Sequence, residues 1–223
     1  MSDLTGIRLI EAPRALLWAE LAAFFVGVPL AMALLMPPEL MFAVLLPITV
    51  IGLALLHITD GFHWSELLRG WHRVNWRVVV GFTAVTTVIA AGVALYAVPD
   101  YLLFLPREHP FLLVMILLGY PLLSALPQEI IFRPLFFRRY GRLIPERGVA
   151  YTLNATLFAL AHLMYWNWIV AAMTFAGGLI FSWAYEARGS FALAVVLHSM
   201  AGVVLFISGA GVLFYSGMIE RPF

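Results

Sequence analysis

The chain contains no cysteine, which excludes disulfides, thiolate metal sites and a cysteine nucleophile. Lysine is absent as well. All 13 basic residues are Arg, so a lysine nucleophile or Schiff base is excluded too, and the bias is a compositional habit of GC-rich bacterial genomes. Charge of either sign is scarce: 11% of residues are charged and the net charge is +1, whereas a soluble domain carries about 25% charged residues. Without a basic field to meet phosphates, nucleic-acid partners are excluded. No internal repeat or low-complexity tract is visible. The opening stretch MSDLTGIRLIEAPR has mixed charges, no immediate apolar core and no small-x-small cleavage site. It is therefore expected not to be a signal peptide, and the first apolar run to be a retained span.

What the chain has in excess is apolar surface. Of its 223 residues, 63% are hydrophobic, and the mean hydropathy is +0.97. A soluble core of this size could not hide so much, so lipid is the expected solvent and partner. A span needs about 20 mostly apolar residues. Seven runs qualify: Ala15–Met36, Leu40–His57, Val78–Val98, Phe111–Phe137, Val149–Tyr165, Asn167–Tyr185 and Phe191–Phe214. An eighth would require splitting the last run near Gly209 and Gly211. The expected fold is an all-α polytopic membrane helix bundle of about seven spans, one integral membrane domain over residues 1–223. Between the second and third spans, HWSELLRGWHRVNW mixes Trp64, Trp71 and Trp76 with Arg69, Arg73 and Arg77. It reads either as a short amphipathic segment at the headgroups or as a loop with interfacial anchors.

Arginine counts set the expected orientation. Arg8, Arg14, Arg69, Arg73, Arg77, Arg138, Arg139, Arg142, Arg147 and Arg188 fall on one side, and only Arg107 and Arg221 on the other. This predicts a cytoplasmic N-terminus, in an integral membrane protein of a bacterial inner membrane.

Few ionisable residues remain inside the spans: Glu20, Glu129, Arg133, His162 and His198. Such groups are costly in lipid and mark functional sites or paired charges. Glu129 and Arg133 are four residues apart in PQEIIFRPLFFRRY and share a helix face. Pro127 and Pro134 predict kinks around them. At about 1.5 Å per residue, Glu129 lies about 13 Å from Arg138 and His198 about 15 Å from Arg188, with His162 at most about 22 Å from Arg147. These depths are compatible with one shared site. A carboxylate near imidazoles can activate water while a second imidazole donates to an oxyanion. Two His and one Glu also suffice for a catalytic zinc. Arg133 would keep Glu129 ionised and oriented. Taken singly, each His reads equally as an interhelical hydrogen-bond donor, and Glu129–Arg133 as a packing pair. Glu20 reads as interfacial or as lining a hydrated gap, and Phe132, Phe136, Phe137 and Phe158 as packing.

Three motifs occur in order on these spans: EIIFR at 129–133, FALAH at 158–162 and VLHS at 196–199, the last preceded by GGLIFSWAYEARGSFALAV. Together they resemble the CAAX-processing and bacteriocin-processing (CPBP) family of intramembrane proteases, over about residues 110–206. The resemblance implies a membrane-embedded endopeptidase facing the cytoplasm, acting on a peptide or membrane-protein substrate. Glu129 with His162 would activate water, and His198 would polarise the scissile carbonyl. The mechanism it implies is glutamate-type without metal or zinc-dependent, and in the latter case Glu129, His162 and His198 would be the ligands. Two positions depart from the family pattern. Gln128 stands where a first of two glutamates is usual, and it cannot act as a base. Gly202 stands where Asn or Asp is frequent, leaving Ser199, Asn154 or Asn167 as candidate replacements. The alternatives are an inactive scaffold or bacteriocin-immunity protein on the same fold, and a proton-coupled transporter, against which no inverted repeat is found.

Overall fold

The computed structural model describes residues 12–68, 70–219, 221 and 222. Arg8, Arg69 and the opening stretch up to Glu11 lie outside them. All regular structure among the described residues is helical. Six helices are long and apolar enough to cross a membrane. They are α1 (Arg14–Leu35), α2 (Pro38–His57), α3 (Trp76–Ala97), α4 (Pro110–Leu143), α6 (Trp168–Ala187) and α7 (Phe191–Ser208). Between α4 and α6 lies α5 (Arg147–Ala161), where the sequence predicts a further span. Its 15 residues reach about 22 Å, short of the roughly 30 Å hydrocarbon core. The last apolar run is not split into an eighth span. It ends at Gly209, whose φ of 99° is a left-handed cap, and continues as a single tight turn.

Helix starts follow from local chemistry. The Asn75 side chain accepts from the Arg77 and Val78 amides at the head of α3. Asn167 does the same for Ile169 and Val170 at the head of α6, and Ser190 accepts from Leu193 at the head of α7. Each satisfies donors that the first helical turn leaves unpaired. Prolines open α2 and α4, where their missing N–H costs nothing.

α4 is the longest element, 34 residues, about 50 Å at the α-helical rise. It runs past the expected end at Phe137 to Leu143. The kinks that its prolines predict take the form of wide π turns, at Pro121–Ala125 and Ile131–Tyr140. Pro121, Pro127 and Pro134 cannot donate to the preceding turn, so the ladder slips to longer bonds. α7 is the centre of the bundle. It is 61% buried, against 17–22% for the first four spans, whose apolar outer faces are left for lipid. α5 folds back on α6; α6 packs against α7, and α5 against α1 and α4.

The polar stretch after α2 forms one helical turn, Ser65–Leu68, and a tight turn at Trp71–Arg73. Trp64, Leu68, Trp71 and Trp76 are exposed, as residues at a headgroup layer are. An ion pair from Glu66 to Arg138 ties this stretch to α4.

Candidate active site

Glu129 and Arg133 are fully buried one helical turn apart. The Arg133 Nε donates to Glu129 Oε2 at 2.8 Å, and Nη2 reaches Oε1 at 3.5 Å. The remaining fork nitrogen, Nη1, donates to the Asn154 side-chain oxygen on α5 and to Ser182 Oγ on α6 at 2.9 Å. Asn154 is held in turn: its amide nitrogen donates to the Phe132 carbonyl at 2.7 Å. The guanidinium carbon also lies 5.5 Å from the Phe158 ring and 5.7 Å from the Phe181 ring. A buried ion pair is worth its desolvation only when its other hydrogen bonds are met, and the rings add cation–π attraction.

His198 brings α7 into the same network. Its Nδ1 lies 2.8 Å from Glu129 Oε1. A carboxylate held against a guanidinium accepts, so Nδ1 carries the proton and Nε2 is the ring's other, acceptor nitrogen. The ring stacks on Phe181, with centroids 4.9 Å apart and planes at 12°. Carboxylate, guanidinium and imidazole thus come together from α4 and α7, with α5 and α6 supplying the supports.

His162 does not join that network by a hydrogen bond. It sits just past the end of α5, with Nδ1 2.7 Å from the Phe158 carbonyl. A carbonyl only accepts, so here too Nδ1 is the donor and Nε2 the acceptor. The Phe158 ring touches both imidazoles, its centroid 4.7 Å from that of His162 and 5.5 Å from that of His198. Both imidazoles line one apolar cavity of about 740 Å³. Gln128 lines it too, whereas Glu129 and Arg133 do not. The carboxylate stands behind His198.

Several sequence expectations find other places. Glu20, expected at an interface or a hydrated gap, is ion-paired and still 20% exposed: both its oxygens accept from Arg139, at 2.7 and 2.9 Å. Arg139, counted as a loop charge, is buried in α4. Asn154 and Asn167 are not open donors, since the first is held in the Arg133 network and the second caps α6. Asn154, Phe158 and His162 follow at four-residue steps along α5, a pattern that could have marked Asn154 as a site residue. Nothing local marks Ser182.

The residues fit a metal poorly. Among the described residues no three His, Asp or Glu side chains are placed to hold an ion. Glu129 already has a guanidinium on one oxygen and an imidazole N–H on the other, which oppose a cation.

Residues 110–204 match the family model described as type II CAAX prenyl endopeptidase, Rce1-like. This segment is of the CPBP family. The CPBP segment begins at the head of α4 and ends inside α7, so it contains Glu129, Arg133, His162 and His198. The match supports a CAAX-type intramembrane protease in general, carried by an integral membrane protein. No curated protein and no solved structure matches the chain.

Proposed function

We propose that the chain is an intramembrane endopeptidase that hydrolyses a peptide bond at the cytoplasmic side of a bacterial inner membrane. The observation that carries this reading is the pair of imidazoles on one apolar cavity, one of them backed by a buried carboxylate. The cavity is membrane-embedded and apolar, and it suits the greasy part of a prenylated CAAX-type peptide. The Arg-rich ends of α4 and of the loops beside it support the cytoplasmic assignment.

The sequence expectation gave the water to Glu129 and His162 and the carbonyl to His198. Because Glu129 has both oxygens engaged and does not border the cavity, another division of labour has better support. His198 Nε2 takes the proton of a water that His162 Nε2 also holds. The water oxygen adds to the scissile carbonyl carbon, and the carbonyl π pair moves to oxygen. Glu129 steadies the resulting imidazolium, as a carboxylate does behind a histidine base. The C–N bond then breaks, the carbonyl re-forms, and His198 returns the proton to the leaving nitrogen. No step calls for a metal.

A quenched-fluorescence prenylated CAAX peptide, offered to the purified protein in detergent, tests this. Wild-type turnover is expected to persist with a strong zinc chelator. His198→Ala is expected to lower kcat by about 10²–10⁴-fold. Undiminished cleavage by His198→Ala would overturn the assignment. Gln128 favours a second reading, an inactive scaffold or immunity protein, because an amide stands where the cavity wall could have held a base. That reading predicts peptide binding with no cleavage by wild type.

A further inference from the structure

Three polar side chains recur at four-residue steps on the otherwise apolar stretch of α4 before Glu129: Tyr120, Ser124 and Gln128. All three line the cavity that His162 and His198 line. Gln128 Nε2 donates to Ser124 Oγ at 2.9 Å. This fixes the amide, and its Oε1 is buried with no hydrogen-bond partner among the described residues. Buried acceptors are nearly always paired, so this one is set for a donor that the protein does not supply.

Tyr120 is placed by an absence. A Cβ added at Gly202 would lie 2.0 Å from the Tyr120 ring and 2.7 Å from its hydroxyl. The ring therefore lies against the bare backbone of α7, a seat that only glycine leaves open. Gly202 is four residues beyond His198, on the same face and about 6 Å further along the helix. The Tyr120 and His198 rings meet edge to face with centroids 6.1 Å apart. A hydroxyl donor thus stands one turn along from the imidazole, at the same cavity.

We propose that this stripe holds the backbone of the substrate. Tyr120 donates its O–H to the scissile carbonyl oxygen as that oxygen becomes an oxyanion, in the place where Gly202 supplies no side chain. Gln128 Oε1 accepts a backbone N–H of the same peptide, with Ser124 fixing its direction. This rests on the endopeptidase reading. Tyr120 keeps its proton throughout, so the hydrolytic balance is unchanged.

The test uses two probes: a prenylated CAAX peptide, and its phosphinate analogue carrying a tetrahedral P–O⁻ at the scissile position. Binding of both, and turnover of the peptide, are measured for wild type, Tyr120→Phe and Gln128→Met. Tyr120→Phe keeps the ring in its seat, so a packing role would survive it. The expected result is a kcat about a hundredfold lower with KM unchanged, and weakened binding of the phosphinate alone. Gln128→Met is expected to weaken both probes alike, by about tenfold. Wild-type affinity for the phosphinate in Tyr120→Phe, or for both probes in Gln128→Met, overturns the proposal even where wild type cleaves. Wild type that binds with these differences and does not cleave keeps the stripe and sinks the endopeptidase reading. Failure of wild type to bind either probe overturns both.

Discussion

Arg133 is the residue on which the site's charge balance turns. Its fork contacts Glu129, Asn154 and Ser182 on three helices, and it has no exposed surface. Removing one member of a buried pair costs far more than the pair contributes, because the other charge is stranded. Arg133→Met is therefore expected to destabilise by about 3–5 kcal/mol, read as a lower thermal midpoint in detergent. Arg133→Lys is expected to recover little of that loss. A single ammonium cannot reach a carboxylate on one side and two side-chain oxygens on the other with the geometry of a planar fork. A lysine variant as stable as wild type would show that charge alone, without the fork, holds the network.

At the scale of elements, the family-matched segment is fastened to the helices that precede it by a second buried polar cluster. Glu20 of α1 receives both Nε and Nη2 of Arg139 from α4, and the Tyr140 hydroxyl donates to it at 3.4 Å. Arg139 Nη1 reaches Thr59 at the end of α2, at 3.2 Å. Phe25, one α1 turn and a half further on, meets Phe132, Phe136 and Tyr140 edge to face at 5.4, 5.6 and 5.8 Å. Polar clamp and aromatic packing thus hold α1 against α4. The Glu20 side chain retains 20% of its exposure, so its removal is softened by water. Glu20→Ala is expected to cost about 1–3 kcal/mol of stability, while kcat changes little because the cluster lies outside the cavity. A large loss of kcat without loss of stability would show that the clamp acts on the site itself.

At the scale of the molecule, the bundle is arranged around α7, with lipid-facing helices outside it. The absence of cysteine makes its orientation directly measurable, because one introduced thiol reports alone. With a cytoplasmic N-terminus, Asp100→Cys in the loop after α3 is expected to react with an impermeant maleimide in intact cells. Arg147→Cys, at the head of α5, is expected to react only after permeabilisation. Both residues are exposed. The reverse pattern would put the candidate site near the outer face, and the cytoplasmic cleavage proposed above would fall with it.

The bilayer environment, the helical class and the pairing of Glu129 with Arg133 were legible in the sequence alone. Each rests on composition or on contacts within one helical turn, where spacing fixes which side chains share a face. His198 is a different case: its depth was readable, but its bond to Glu129 spans 69 positions and depends on how α7 is rotated toward α4. Ser182 was hidden for the same reason, since it bonds a partner on another helix, and Asn154, expected only as a replacement for the side chain missing at Gly202, serves the Arg133 network instead. What Glu129 would meet was not readable, because a period tells which residues share a face, without telling what that face meets. Pattern alone made the fifth run a span, and its helix, Arg147–Ala161, is followed by a tight turn over Leu163–Tyr165. The Tyr120 ring on Gly202, the Glu20 clamp and the choice of Gln128 over Glu129 for the cavity wall were decided by tertiary packing. Close fit between helices is a property of the assembled bundle, and no single helix carries it.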